Sequence, residues 1–238
     1  MLKQKKYINS FTLLLSFLPL GLVAGTFVSE LIILLFVILF LFYSYSKNSF
    51  DYLKSFELKA FFFLWVYLII NSFVNFNSES LIRNITTIRF FILVIGIKFL
   101  IDNKLIKIKQ IFITWLLLIS FLVIDILVES ILGHNLIGIS SNMNGRIASF
   151  FGKELKVGGF LVGFALISTS LFFEKKIFFN KNYVVPIIVI FLTIIFLTGE
   201  RSNFIKFFIM CFFIFIFIYK KKIKIIIISS FVFFLLIL

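Results

Sequence analysis

The chain is 238 residues long, 62% of them hydrophobic and only 14% charged, and it contains 38 phenylalanines. A composition this apolar excludes a water-soluble domain, in which about 45–50% of residues are apolar. The formal net charge of +14 does not indicate a nucleic-acid-binding protein, because the basic residues recur in short segments between apolar stretches and form no basic surface. The composition is that of a polytopic membrane protein.

Nine apolar stretches are each close to the roughly 20 residues that an α-helix needs to cross a bilayer. The lysine-rich start is similar to a signal peptide, but a second apolar stretch follows at once, which favours a helical hairpin. We therefore predict an all-α, polytopic transmembrane helical bundle of about nine spans that forms a single domain over 1–238. The predicted spans cover about 8–24, 27–46, 59–75, 83–101, 111–128, 155–173, 183–198, 203–219 and 223–238.

The basic residues predict the orientation. With a cytoplasmic N-terminus, 17 of the 20 lysines and no arginine lie on the inner side, as the positive-inside rule requires. The outer side then holds Lys153, Lys156, Lys206 and the four arginines, which are Arg83, Arg89, Arg146 and Arg201. Arginines on the lysine-poor side need another explanation, and guanidinium chemistry favours recognition of phosphate or diphosphate.

Two arginines belong to the fourth predicted span. Arg89 lies about two turns inside it, where an unpaired charge costs at least about 2–3 kcal/mol and therefore needs a partner or a polar cavity. Arg83 lies at its mouth, where contact with lipid headgroups accounts for it. Asp125 and Glu129 are spaced so that both carboxylates share one face at the outer end of the fifth span. They either pair with Arg89 or Arg83 across helices or include a catalytic carboxylate.

The longest outer (periplasmic) loop, 129–154, is the one segment rich in Gly, Asn and Ser, which makes it the favoured position for a site. Arg146 and Glu154 bracket GRIASFFGKE, which leads into the sixth span. Glycines there permit close backbone approach, and the following helix N-terminus offers N–H groups to an anion.

A tight turn precedes the eighth predicted span. Arg201 follows Gly199 and Glu200 in this turn, and Glu200 either orients Arg201 or neutralises it. Lys206 can extend its side chain to the same surface.

The chain has one histidine and one cysteine. Cys211 lies within an apolar stretch and reads as an inert apolar residue. His134 has no matching nucleophile and no second metal ligand, so we interpret it as a polar loop residue. The pattern predicts neither a metal site nor a cofactor.

Four segments carry a resemblance to a known family when they are taken in order. They are IRF at 88–90, VIDILVESILGHNLIG, NGRIASFFGKELKVGGFL and LTGERSNF at 197–204. Together they resemble the O-antigen ligase/polymerase family of bacterial membrane glycosyltransferases, which often shows an arginine, an FGDE-like turn that enters a helix, and a GER-like turn. By position, Arg89, Arg146, Glu154 and Arg201 match the IRF arginine, the loop arginine, the acid of the FGDE-like turn and the GER arginine.

The resemblance implies a multi-helix enzyme of the GT-C class in the bacterial inner (cytoplasmic) membrane. Such an enzyme takes a glycan from a polyprenyl diphosphate carrier and transfers it, outside the membrane, to the lipid A core of lipopolysaccharide or to a growing polysaccharide. Its partners would be the lipid-linked donor, a lipid or glycan acceptor and membrane lipids, with no metal. Arg201 would bind the diphosphate, and fixed guanidinium groups would stabilise the charge that develops on the leaving group.

Two departures from the family pattern limit this expectation. Lys153 stands where an aspartate is usual. Family members are also longer, with a large outer loop whose further arginine and histidine are proposed to activate the acceptor. We therefore expect the donor-binding N-terminal portion of such an enzyme, a truncated chain that is inactive alone.

Two alternatives remain. One is a transporter or flippase fragment for an anionic lipid or solute, although the polar residues gather at the outer ends and not near the midplane, where transporters bind. The other is a non-catalytic membrane scaffold, in which the arginines can be replaced without effect.

Overall fold

The computed structural model describes residues 2–76, 78–141, 143, 145–152, 156–173 and 184–218, and these form α-helices with no strand among them. The predicted all-α class is confirmed for this part of the chain. Two short 3-10 helices, Asp51–Lys54 and Ser149–Phe151, lie in the connections. The α-helices are α1 (Leu2–Ala24), α2 (Thr26–Lys47), α3 (Phe56–Val74), α4 (Ser78–Thr86), α5 (Ile88–Asp102), α6 (Ile108–Leu132), α7 (Val157–Phe173), α8 (Val184–Leu197) and α9 (Arg201–Ile218).

Five helical segments are long and apolar enough to cross a membrane, which indicates a polytopic membrane protein. A shorter apolar helix covers Pro186–Leu197. The count of nine spans and the cytoplasmic N-terminus stay predictions, and the predicted span 223–238 lies outside the described residues. The five segments are Tyr7–Ala24, Thr26–Lys47, Phe56–Val74, Ser78–Asp102 and Ile108–Leu132.

Contacts group the chain into two compact units, Met1–Trp115 and Leu116–Leu238, where the sequence predicts one transmembrane domain. The first unit has an aromatic core in which Phe11, Phe36 and Phe40 are almost fully buried. The Phe11 ring meets Phe36 and Tyr43 edge to face, at centroid distances of 5.7 and 5.9 Å. These geometries are the ones that aromatic quadrupoles favour, so the phenylalanine-rich sequence supplies this core directly.

The fourth predicted span is divided into α4 and α5 at Thr87. Thr87 keeps helical backbone angles, with φ -61° and ψ -23°. Polar contacts hold α4 against α3, since Asn84 Nδ2 donates to Ser72 Oγ at 2.7 Å and Trp65 Nε1 donates to the Asn84 carbonyl at 3.0 Å. Polar groups within apolar surroundings seek such partners, so these contacts pair the two helices.

The second unit contains most of α6, the loop after it, and α7 to α9. Helix α6 continues past the predicted boundary at 128 to Leu132, so Glu129 is a helical residue. The side chains of Leu161, Ala165, Ile195 and Phe207 are fully buried in this unit. This packing places the C-terminal end of α6, the start of α7 and the turn between α8 and α9 within one compact unit.

Candidate functional site

Ser149 is the anchor of the loop that follows α6. It is 1% exposed and has a φ of 50°, a left-handed conformation that costs about 1–3 kcal/mol for a residue other than glycine unless its surroundings hold it. Its N–H donates to Glu129 Oε2 at 2.7 Å, its hydroxyl donates to Asp125, and its carbonyl accepts from Asn135 Nδ2 at 3.0 Å. Two of these contacts hold the loop to α6, and the third joins Ser149 to Asn135 within the loop.

Asp125 and Glu129 do share one face of α6, as their spacing predicts, and both are buried at 0% and 5% exposure. Their partners differ from the expected arginines. Asp125 accepts from the Leu136 N–H at 2.8 Å, and Glu129 Oε1 accepts from the Ala148 N–H at 3.2 Å. The reason is geometric. The loop folds back over α6, so that backbone N–H groups of the loop lie within hydrogen-bond distance of both carboxylates. The expected ion pair with Arg89 or Arg83 is absent from the described contacts.

The loop also contacts the turn between α8 and α9. The Ile147 N–H donates to the Thr198 carbonyl at 3.3 Å. Gly199 has a φ of +72°, and a Cβ at this position would lie 2.3 Å from the Gly145 carbonyl oxygen and 3.3 Å from Arg146 Cγ. Only glycine allows so close an approach with this backbone conformation. The fold therefore brings the NGR segment and the GER segment of the sequence together.

Glu200 neither orients Arg201 nor neutralises it by direct contact. Its Oε1 accepts from the Gly158 N–H at 2.8 Å, and its Oε2 accepts from Asn203 Nδ2. Gly158 is in the first turn of α7, where N–H groups lack partners within the helix. The sequence analysis offered the N–H groups at the start of α7 to an external anion. The Glu200 carboxylate binds one of them instead, because a helix N-terminus attracts a nearby anion.

Arg146 lies beside Gly199, two residues before Arg201, and both arginines are exposed. Neither guanidinium group has a hydrogen-bond or ion-pair partner among the described residues. Arg201 is the first residue of α9. The carboxylates of Asp125, Glu129 and Glu200 instead accept from N–H groups and from the Ser149 hydroxyl.

A cleft of about 440 Å³ opens beside Arg146. Its lining includes Glu129, Gly133, Met143 and Gly145. Its wall is thus part polar and part apolar. This composition suits an amphiphile that has an anionic group for Arg146 and an apolar portion for Met143.

Arg89 lies in the first turn of α5 and not two turns inside a continuous helix. Arg89 Nη2 donates to Glu30 Oε1 at 2.8 Å, and the guanidinium carbon lies 5.1 Å from the centre of the Phe90 ring. Glu30 is a residue that the sequence analysis missed. An isolated acid inside the second predicted span was the available signal, because such a charge needs a partner.

The remaining predicted residues are placed separately. The side chains of Arg83 on α4 and Lys206 on α9 are exposed. Glu154 and Lys153 lie outside the described residues, so their predicted roles stay predictions. His134 is exposed, with Nδ1 3.2 Å from the Asn135 carbonyl oxygen. Within the described ranges, no group of three His, Cys, Asp or Glu residues could hold a metal ion.

Sequence reasoning missed the two residues that organise the loop. Asn135 is 1% exposed and Ser149 is 1% exposed, although both lie in a segment that reads as surface loop. The paired carboxylates on α6 were the available signal, since buried carboxylates need several donors. No spacing rule indicates which loop residues supply those donors.

No protein-family model, no curated protein and no solved structure matches this chain. The residues that the structure describes belong to an all-α membrane protein. Its distinctive feature is two exposed arginines, Arg146 and Arg201, where the loop after α6 contacts the turn between α8 and α9.

Proposed function

We propose that this chain binds the donor of a membrane glycosyltransferase similar to the O-antigen ligase/polymerase family. The donor is a glycan on a polyprenyl diphosphate carrier, and the acceptor is the lipid A core or a growing polysaccharide. The proposed location is the bacterial inner membrane, with the N-terminus in the cytoplasm and the arginine edge on the periplasmic side. In this proposal the role of the chain is to bind the donor.

One observation carries the proposal, namely the separation of acids from arginines in the second unit. Asp125, Glu129 and Glu200 accept hydrogen bonds from N–H groups, which leaves Arg146 and Arg201 without partners among the described residues. Exposed guanidinium groups on a rigid backbone suit an anion with several oxygens, because each can donate two parallel hydrogen bonds. A diphosphate has that geometry.

The chemistry follows from the charge of the leaving group. When the acceptor attacks the first sugar, the bond from that sugar to the diphosphate breaks and negative charge develops on the diphosphate oxygens. Arg146 and Arg201 would stabilise that charge in place, without reorganisation during the reaction. The apolar wall of the cleft at Met143 would contact the first isoprene units of the carrier.

Direct binding tests the donor-recognition step. The purified chain in lipid nanodiscs is titrated with undecaprenyl diphosphate and, separately, with undecaprenol. We expect binding of the diphosphate alone, and a loss of at least tenfold in affinity for the double variant Arg146→Ala/Arg201→Ala. Arg83→Ala is the matched control, since it removes an equally exposed arginine from a different unit. Equal affinity for both lipids would overturn the proposal.

Transfer in cells tests the reaction. In the strain that carries the gene, Arg201→Ala should abolish glycan transfer while the amount of protein in the membrane is unchanged. Transfer at the normal level in that variant would contradict an enzymatic role and would favour the scaffold.

The orientation has its own test. In a Cys211→Ser background, Ser140→Cys and Asn48→Cys place single thiols at exposed positions on opposite predicted sides. A membrane-impermeant maleimide added to intact cells should label the first variant only. Labelling of Asn48→Cys alone would reverse the proposed topology.

A further inference from the structure

The tip of the loop after α6 is apolar and exposed. Leu136, Ile137 and Ile139 are 49%, 68% and 50% exposed, and we call these three residues with the backbone of 135–139 the loop tip. No Asp, Glu, Lys or Arg occurs anywhere from 130 to 145. A soluble loop of this length normally carries charged or strongly polar residues at its tip, because loops face water.

Every backbone N–H group of the loop tip is hydrogen-bonded within the protein. Asn135 organises it, since its Oδ1 accepts from the Ile137 N–H at 3.1 Å and the Ile139 N–H at 2.8 Å. The Asn135 N–H donates to the Ile139 carbonyl and the Gly138 N–H to the Asn135 carbonyl, both at 2.9 Å. The Leu136 N–H donates to Asp125. Five consecutive N–H groups thus have protein partners.

The exposed apolar side chains and the satisfied N–H groups together indicate whether the loop tip lies in water or in lipid. An exposed loop in water needs no internal partner for its N–H groups, because water supplies one. In hydrocarbon each unpaired group costs several kcal/mol, so irregular backbone is tolerated only where it is satisfied internally. A loop tip that satisfies all of its N–H groups and exposes apolar side chains suits the boundary between headgroups and acyl chains, where its carbonyl groups can still accept from water.

The position of the loop tip agrees with this. Helix α6 is one of the segments long enough to cross a membrane, and it ends at Leu132. Its exposed apolar residues continue to that end, with Ile124 at 52%, Ile131 at 79% and Leu132 at 60% exposure. The loop tip therefore begins where the apolar surface of the span ends.

We propose that the loop tip is embedded in the membrane, with Leu136, Ile137 and Ile139 among the acyl chains of the leaflet in which α6 ends. The occupant of this surface is lipid, and burial of the three side chains stabilises the loop against the bilayer. Asn135 and Asp125 favour the insertion, because their side-chain oxygens satisfy N–H groups for which hydrocarbon offers no partner. Neither phosphate recognition nor catalysis is needed for this role.

The insertion has a consequence for the cleft, which rests on the proposed function. Gly133, just before the loop tip, and Met143, four residues after it, both line the cleft beside Arg146. An embedded loop tip holds this cleft at headgroup depth. A lipid-linked diphosphate can then reach Arg146 while its isoprenoid chain stays in the bilayer.

Site-directed spin labelling tests the insertion. In the Cys211→Ser background, Ile137→Cys carries a nitroxide, and the chain is reconstituted into phosphatidylcholine vesicles without any polyprenyl lipid. The references are Leu117→Cys, 67% exposed on α6, and Asn48→Cys, exposed beyond the end of α2. We expect collision with oxygen to exceed collision with a water-soluble nickel chelate at Ile137, as at Leu117.

The opposite ranking, with the nickel chelate dominant as at Asn48→Cys, would overturn the insertion and would favour docking of a protein on the loop tip. If Ile137→Cys does not fold, Ile139→Cys provides the same measurement at a second exposed position. Because the vesicles contain no donor lipid, a negative result here leaves the donor-binding proposal intact, and failure of donor binding leaves the insertion intact.

Discussion

The two units of this protein treat their charges differently. In the first unit, basic side chains pair with acids, since Arg89 contacts Glu30 at 2.8 Å and Lys98 contacts Glu57. In the second unit, Asp125, Glu129 and Glu200 are buried and accept from N–H groups. Glu30 and Glu57 of the first unit neutralise cations, whereas the three described acids of the second unit hold a loop and cap a helix.

This difference shows that the nearest opposite charge along the chain need not be the partner. Glu200 precedes Arg201 directly, yet it binds the Gly158 N–H in α7. A buried N–H without a partner costs about 1–3 kcal/mol, whereas an exposed ion pair contributes only about 0–1 kcal/mol. The carboxylate therefore satisfies the amide, and the arginine remains free to bind a ligand.

The largest loss of stability is expected at Glu129, and the same substitution at Glu30 of the first unit provides the comparison. Glu129→Gln replaces an oxygen that accepts from the loop with an NH₂ group that faces an N–H donor, so it should lower the free energy of unfolding by about 2–3 kcal/mol. Glu30→Gln, at a side chain that is 39% exposed, should lower it by about 1 kcal/mol or less. Detergent-denaturation curves of the purified variants measure both. Equal losses of unfolding free energy in the two variants would contradict this difference between the two units.

The second effect is steric and concerns the junction of the loop and the turn. Gly199→Ala should destabilise the second unit by about 1–3 kcal/mol, because its φ is +72° and the new methyl group meets the Gly145 carbonyl oxygen. Gly163→Ala is the matched control, since nothing lies within 4 Å of a Cβ at that position. The melting temperatures of the two variants should differ clearly in the same detergent. If both melt like the parent chain, the loop does not contact the turn.

Much of the fold was predictable and the contacts of the site were only partly so. Apolar stretches of about 20 residues predicted the long helices because hydrophobic length is a local property. The pairing of α3 with α4 depends on Asn84 reaching Ser72 in another helix, which no local pattern shows. Similarly, the spacing of Asp125 and Glu129 predicted a shared face, but their partner Ser149 is 20 or more residues away along the chain.

The third effect concerns the ion pair of the first unit. Arg89→Gln should lower the free energy of unfolding by about 1 kcal/mol, because the glutamine amide still offers Glu30 a hydrogen-bond donor and both side chains are only partly buried. The exchanged double variant Arg89→Glu/Glu30→Arg should recover part of that loss, because it restores opposite charges at the same two positions. A double-mutant cycle with Glu30→Gln measures the coupling. A coupling energy of zero would mean that the ion pair does not stabilise the protein. It would then favour the ligand-binding role of Arg89 that the family resemblance suggests.

The smallest effect on stability is expected at Arg146 and Arg201, and it separates a binding role from a structural one. Neither guanidinium group has a partner among the described residues, so Arg146→Ala and Arg201→Ala should each change the free energy of unfolding by no more than about 0.5 kcal/mol, as surface substitutions usually do. Arg83→Ala should change it equally little.

The three variants should differ only when undecaprenyl diphosphate is added, because bound ligand stabilises the folded state. The melting temperature of the parent chain and of Arg83→Ala should then rise, while those of the other two variants should rise less. A large loss of stability in Arg146→Ala without ligand would instead show that this arginine holds the loop, as Arg89 holds its helix.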